Sequence, residues 1–433
     1  MSASGKKLNP PLQRSTRSRR LRLAAIGLEA EFALCIDNQQ VRPEDIFEDP
    51  RSFIRGQLMH RLGTSYHLPT GAAIYFDTGV IEIATPVIEI ERGCGARAGR
   101  SLWESIRFVR AELDAWEAQA GKTARLVGFS AHYNISFELP RSEQGRLRTV
   151  HRLAVLLAYI LPVPVMLLAT NRRSTGVGVR PRGERVEITV DFTPSPALTI
   201  ATATLITGIV REVMTWPSFE LSELGEHGIP VIAGYAPVPH TTRKGWLARY
   251  SSYPENPFVS DVNAPNWIST TGETLSLREI GGRITRAFWS SIERLSDPFT
   301  FRLIGSIMRG RAPSLLDLDD RPPEYEDIGR LCDWDDLFPP GRLARSRYER
   351  VLIRAISGRK LRLFNSWYTP VGMNGWSEVI FRREGDRGRH YFSIDFLLDH
   401  LAEWEATGPG SISLPRKPTA GHVRRTRQEV AYD

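Results

Sequence analysis

Gly27-Leu28-Glu29-Ala30-Glu31-Phe32, inside the apolar run Leu23 to Ile36, places two acids at alternate positions among apolar neighbours. In a β-strand alternate side chains share a face. Glu29 and Glu31 therefore project together, while Leu28, Ala30, Phe32 and Leu34 project to the other side. Two like charges on a half-buried strand repel each other and are costly to desolvate, so they need a compensating partner. A divalent cation that takes hard oxygen ligands, such as magnesium, meets that need. An isolated pair of this kind reads first as the solvated face of an edge strand. Three further segments favour the cation.

The first, Leu68 to Pro86, reads L-P-T-G-A-A-I-Y-F-D-T-G-V-I-E-I-A-T-P. Tyr75 and Asp77 share a strand face, Thr78-Gly79 supplies a turn, and Val80 to Thr85 restarts an alternating strand that carries Glu82. The second, Gly128 to Phe137, sets His132, Asn134 and Ser136 on one face and Ala131, Tyr133, Ile135 and Phe137 on the other. The third, Arg185 to Asp191, sets Arg185, Glu187, Thr189 and Asp191 against Val186, Ile188 and Val190. Four segments thus offer strand faces whose side chains suit a metal or a phosphate, the pattern of an active site rather than of four unrelated surfaces.

The order E-x-E, then an acid followed by T-P, then H-x-N-x-S, then R-x-E with a following aspartate, resembles the glutamine synthetase-like superfamily of carboxylate–amine ligases. Within it the chain is most similar to the ligase and deamidase/depupylase enzymes of the prokaryotic ubiquitin-like protein Pup. The segment T-G-A-A-I-Y-F-D-T-G-V-I-E-I-A-T-P resembles their N-G-A-R-x-Y-x-D and P-E-Y-x-T-P elements, and Gly375 to Phe381 resembles their late W-x-x-V-x-F element. The resemblance implies Glu29, Glu31, Tyr75 and Glu82 as magnesium ligands, with His132 and Glu187 completing the metal and phosphate shell. It implies Asp77 as the catalytic carboxylate, Thr85 and Trp376 against ATP, and phosphate-directed groups at Asn134, Ser136 and Arg185. ATP and Mg2+ are the cofactors it implies. The substrates it implies are a carboxylate and an amine, including a small acidic peptide or protein. The chain departs from the pattern at Ala73, where those enzymes have arginine, and at Thr189, where the synthetase pattern has a second arginine. It also lacks their T-R-D-E-P-H-type stretch, so Pup is not assumed as the substrate.

Bulk properties fit a globular enzyme. At 433 residues the chain holds two domains or one large domain with an appendix, and 41% hydrophobic with 24% charged residues is ordinary for a globular protein. Cys35, Cys94 and Cys332 are widely spaced, which excludes a disulfide scaffold or zinc ribbon and leads us to expect a reducing cytoplasm. The net charge of +8 favours anionic partners, but much of it lies in two basic tails. One carries Arg14, Arg17, Arg19, Arg20 and Arg22, the other His422, Arg424, Arg425 and Arg427, and neither has a nucleic-acid motif beside it. The N-terminus shows no apolar core with a small-residue cleavage site, so no signal peptide is expected.

Leu153 to Thr170 approaches membrane-spanning length, but Pro162 and Pro164 interrupt it. A buried helix followed by an extended segment is expected there, with no membrane association. Ser101 to Gln119 has the spacing of an amphipathic helix, Ala197 to Val213 reads as another, and Arg283 to Ile307 as one or two more broken at Pro298. The acidic stretch from Asp317 to Asp336 reads as a solvated linker or surface loop, and arginine-rich Arg342 to Arg362 as a helix. The expected architecture is α+β, a glutamine synthetase-like, mainly antiparallel sheet with helices behind it. Its parts are a basic tail (1–22), a catalytic domain (23–330), a small C-terminal domain over the nucleotide (331–408) and a flexible tail (409–433). The expected function is ATP- and magnesium-dependent amide or isopeptide bond formation through an acyl phosphate. An amide hydrolase using the same site and a catalytically degenerate nucleotide-binding protein stay open as alternatives.

Overall fold

The computed structural model describes residues 23–137, 148–240, 244–332, 334, 337, 343–363 and 365–406. Both basic tails, Arg342, and Asp333, Asp335 and Asp336 of the acidic stretch lie outside the described residues. The strands of the main sheet are β1 (Ala25–Ile36), β2 (Gln39–Val41), β3 (Met59–Leu62), β4 (Ser65–His67), β5 (Ala73–Asp77), β6 (Val80–Ala84) and β7 (Ile88–Glu89). They continue as β8 (Ala124–Ser136), β9 (Val177–Arg182), β10 (Arg185–Asp191), β11 (Val238–Pro239) and β12 (Trp246–Ala248). The spatial order is β11-β12-β9-β10-β8-β1-β6-β5-β4-β3, with β2 and β7 added to β1, and every pairing is antiparallel. A two-stranded ribbon, β13 (Trp267–Ile268) and β14 (Thr274–Leu275), stands apart.

Alternation explains why this sheet has one apolar and one polar face. Leu28, Ala30, Phe32 and Leu34 of β1, Ile81 and Ile83 of β6, Tyr133 and Ile135 of β8, and Val186 and Ile188 of β10 are all buried in one core. Helices α1 (Pro43–Phe47), α2 (Cys94–Ala120), α3 (Val150–Ile160), α4 (Pro162–Ala169), α5 (Pro196–Val213) and α6 (Glu223–Glu226) precede the ribbon. Helices α7 (Leu277–Ala287), α8 (Trp289–Leu295) and α9 (Pro298–Met308) follow it. The buried faces of the long helices α2 and α5, with Leu102, Ile106, Val109, Leu113, Leu205 and Ile209, belong to the same core. The fold is α+β, a large antiparallel sheet with helices behind it.

A second core lies around a four-stranded antiparallel sheet, β15 (Leu361–Leu363), β16 (Ser366–Asn374), β17 (Glu378–Arg383) and β18 (Arg389–Ser393). Helices α10 (Arg347–Ile356), α11 (Ile394–Asp399) and α12 (Leu401–Ala406) pack with it through Tyr348, Leu352, Phe381, Phe392 and Trp404. Ala25 and Met59 of the main sheet are buried in this second core, so the two units share side chains.

Three local expectations need correction. The stretch after Pro162 is helical, not extended: Pro162 opens α4 and Pro164 stands in its first turn, where the backbone N–H groups would have no helical partner anyway. The chain bends by 62° between α3 and α4. Arg283 to Ile307 falls within three helices, because Phe288 ends α7 before Pro298 starts α9. The acidic stretch is only partly solvated: Asp319 and Asp320 are exposed, but the segment after them is packed. Tyr325, Ile328 and Trp334 are buried against the main core, and its acids pair with arginines, among them Asp317 with Arg278 at 2.7 Å. Helix α5 is long and apolar enough to cross a membrane, as α3 and α4 are together, but 72% of α5 is buried in the protein.

The close approach of helices sets a testable limit. A Cβ built on Gly208 of α5 would meet Ile292 Cγ1 at 2.8 Å and its Cα at 2.9 Å, on α8. Gly208→Ala would gain helix propensity of about 1 kcal/mol, but overpacking of a rigid core costs about 1–3 kcal/mol. The expected outcome in chemical denaturation is net destabilisation. An unchanged or raised midpoint would show that α5 and α8 separate without cost.

Candidate active site

The register of β1 against its neighbours builds the site. Glu31 of β1 stands opposite Glu82 of β6, and Glu82 stands opposite Tyr75 of β5. On the other flank Glu29 stands opposite His132 of β8, and Asn134 opposite Glu187 of β10. A bulge in β8 sets Phe32 against Gly128 after Glu31 is set against Ser130, so Phe129 is extruded and exposed. Strict alternation along β8 would have hidden that side chain.

Two overlapping groups result. Glu29, Glu82 and His132 bring one ligand atom each to within 4.8 Å of one another, and so do Glu31, Asp77 and Glu82. His132 Nδ1 is 3.2 Å from Glu29 Oε2, its Nε2 is 3.5 Å from Glu31 Oε1, and Ser130 Oγ donates to Glu31 Oε2 at 2.5 Å. The Tyr75 hydroxyl donates to Glu82 Oε1. Asp77 closes β5 and accepts from the Thr78 hydroxyl at 2.8 Å. Thr78 and Gly79 both have positive φ, as a tight two-residue hairpin turn requires, and Gly79 N–H donates to Glu44 Oε1 at 2.9 Å.

Electrostatics mark the cluster as short of positive charge. Burial and then the neighbouring Glu29 push the Glu82 carboxyl well above the usual carboxylate range. Burial would raise Glu29 as well, but the hydrogen bond and charge of His132, with Arg185, bring it below its ordinary value. His132 in turn is raised despite burial, by its hydrogen bond to Glu29 and by the charges of Glu31 and, through space, Glu187. Hard carboxylate oxygens from three strands, only partly neutralised by one imidazole, are a donor set that fits a magnesium-like cation.

The other candidates divide. Glu187, 2% exposed, is not brought to the acid cluster: Arg180 of β9, directly opposite it, and Arg182 at 3.2 Å hold it in ion pairs. Thr85 Oγ1 accepts from Leu28 N–H at 2.9 Å, and Ser136 Oγ accepts from Ala25 N–H at 2.8 Å, so both brace β1. Arg185 donates to Asn134 Oδ1 at 2.8 Å. Thr85, Asn134, Ser136, Arg185 and Trp376 nevertheless line one cavity of about 550 Å³ with Glu29 and Tyr75. A second cavity of about 520 Å³ opens beyond Glu31 and His132, lined by Ser130, Arg173, Thr189, Asp191 and Arg321 among others.

Sequence reasoning missed Arg61 and Arg182, which line the first cavity, and Arg173 and Arg321, which line the second. Arg182 had a local signal, standing immediately before the Gly183-Glu184 turn that leads into Arg185 to Asp191. Arg61 had none, because β3 is short and carries no motif of its own.

No family model matches the chain, and no curated protein does. Among solved structures that align with it is the crystal structure of the complex between the prokaryotic ubiquitin-like protein Pup and its ligase PafA. That alignment has a TM-score of 0.47 and 9% identity, and covers 88% of this chain and 93% of that one.

Asp191 supplies a pH test. Burial pushes its carboxyl up to about 7, although Asn171 N–H and Nδ2 donate to it at 3.2 and 3.3 Å. In the unfolded chain it titrates near the ordinary aspartate value of 3.8. Between those values the folded state holds the extra proton, so this group makes stability fall as pH rises. Asp191→Asn should remove that contribution and gain on the native protein in denaturation midpoint between pH 5 and pH 8. A variant whose midpoint runs parallel to the native one would refute the assignment.

Proposed function

We propose that this protein is an ATP- and magnesium-dependent carboxylate–amine ligase that forms an amide or isopeptide bond. The observation that carries the reading is the carboxylate cluster between two cavities on one sheet face. A reaction that joins two substrates by transferring a phosphoryl group needs such a shared centre, with room on each side.

Glu29, Glu82 and His132, with Glu31 beside them, are the residues that would hold the cations. Bound there, magnesium supplies charge neutralisation for phosphoryl transfer. The cavity lined by Thr85, Arg182, Arg185 and Trp376 offers an aromatic ring and guanidinium groups, which suits a nucleotide as co-substrate. The cavity lined by Arg173 and Arg321 suits the carboxylate substrate, because guanidinium groups bind carboxylates in two-pronged fashion. A small acidic peptide or protein belongs to that substrate class. Asp77, at the tip of the β5–β6 hairpin, would take the proton that an attacking amine must lose.

Two expected outcomes follow. Magnesium-ATP should stabilise the fold by roughly 2.7 kcal/mol at a hundred times its dissociation constant. Thermal unfolding with ATP, with magnesium and with both checks this, and no shift with both at millimolar concentration rejects the nucleotide reading.

Asp77→Asn, which keeps the shape and removes the charge, should retain that shift and lower turnover at least about a hundredfold. Turnover is release of ADP and phosphate from labelled ATP, dependent on both a carboxylate and an amine and matched to bonds formed. Amide cleavage without net ATP consumption would instead identify a hydrolase, and tight ATP binding with neither reaction a nucleotide-binding protein.

A further inference from the structure

We propose that Arg61 binds the phosphate chain of the nucleotide, and that Trp376, reaching across from the four-stranded sheet, is the positioning residue that aims it. The inference rests on the nucleotide reading of the cavity given above. Arg61 is on β3, at the edge of the main sheet, yet its side chain lines the same cavity as Glu29, Thr85 and Arg185. Its guanidinium carbon lies 5.1 Å from the centre of the Trp376 ring and 6.0 Å from that of Tyr75. Stacking on ring faces fixes the plane of a guanidinium while leaving its in-plane donors open to other partners.

Those donors are underused. Arg61 Nη1 donates to Ser65 Oγ at 3.2 Å, and the buried Nε has no hydrogen-bond partner. Arg61 forms no ion pair among the described residues; the negative charges nearest in effect, Glu29 and Glu82, act on it through space. Arg180 and Arg182 show the contrasting arrangement, clasping Glu187 directly. An arginine meant only to offset the acid cluster would be expected to do the same. Once cations occupy that cluster, the carboxylate charge is spent on them, and a half-buried guanidinium is left facing the cavity. An anion with several oxygens in reach satisfies it, and the phosphate chain is the anionic part of the proposed co-substrate.

Trp376 makes the aim depend on the other core. Its ring carries Arg61 on a face and meets the buried His67 ring in a T-shaped contact with centres 4.9 Å apart. Burial, then the Arg61 charge, depresses His67 to about 3, so it is a neutral wall and adds no competing cation. Trp376 is thus gripped by β3 and β4 residues while belonging to the segment between β16 and β17.

Calorimetric binding of ATP, ADP and adenosine, with magnesium present, tests this in the full chain. Arg61→Gln should weaken ATP at least about tenfold, the scale of a charge-assisted hydrogen bond, weaken ADP less or equally, and leave adenosine unchanged. Affinity for magnesium alone should hold or rise, since a neighbouring cation has gone. Arg61→Lys, which keeps the charge without the planar fork, should lower the ATP-to-adenosine ratio by a smaller factor, and it serves where the glutamine variant does not fold. Trp376→Leu should lower the same ratio in the native background and not lower it further in Arg61→Gln. An ATP-to-adenosine ratio equal to the native one in either folded arginine variant overturns the role of Arg61. An additive loss in the double variant overturns the role of Trp376. A native protein that binds neither ATP nor ADP overturns the nucleotide reading and this inference together.

Discussion

Like-charged carboxylates held side by side on adjacent antiparallel strands are the constraint around which this molecule is organised. Glu31 faces Glu82 directly, and Glu29 lies two positions along the same strand. Such a pairing is destabilising in a sheet unless something opposes it. The fold tolerates it because the other face of these two strands is a continuous apolar layer against α2. Burial of that layer holds the strands in register, and the register in turn holds the acids together. The polar face therefore stores electrostatic free energy that a bound cation would release.

The surrounding groups are graded in how far they relieve that tension. His132 does so in contact, and its imidazole is drawn toward the protonated form by the acids around it. Arg185 acts from a position anchored on Asn134, and Arg61 from between two aromatic rings. Glu187 stands outside the grading, because two arginines of the next strand have already claimed it. The site is consequently asymmetric: acids gather toward β5 and β6, and cations toward the rims of both cavities.

What the sequence revealed and what it hid follow from the range of the forces involved. Alternation is a local property, so the polar face of β1, β8 and β10 and the hairpin carrying Tyr75, Asp77 and Glu82 could be read from single segments. Which acid belongs to which cluster is a matter of register between strands, and Glu187 shows it: alternation placed it correctly on its strand, while Arg180 opposite it decided its partner. Arg61 was invisible because the role proposed for it rests on ring contacts with residues 14 and 315 positions later in the chain, Tyr75 and Trp376. The bulge at Phe129 broke the alternation without a glycine or proline at the extruded position to announce it, although Gly128 beside it leaves the space that Phe192 takes up. Proline misled at α4, where its meaning depends on whether it starts a helix or interrupts one.

The two-residue turn at Thr78-Gly79 ties the length of the chain to its chemistry. Loops on protein surfaces ordinarily accept insertions, since closing a slightly longer loop costs little. This one has no slack: Asp77 pairs with Val80, and Gly79 is tethered to Glu44. One added residue absorbed by sliding β6 against β5 would invert the side-chain parity of the strand and present Ile81 or Ile83 where Glu82 now stands. The hairpin is a ruler as well as a connection, and among descendants of this chain a change of a single codon there would erase an acid without mutating it.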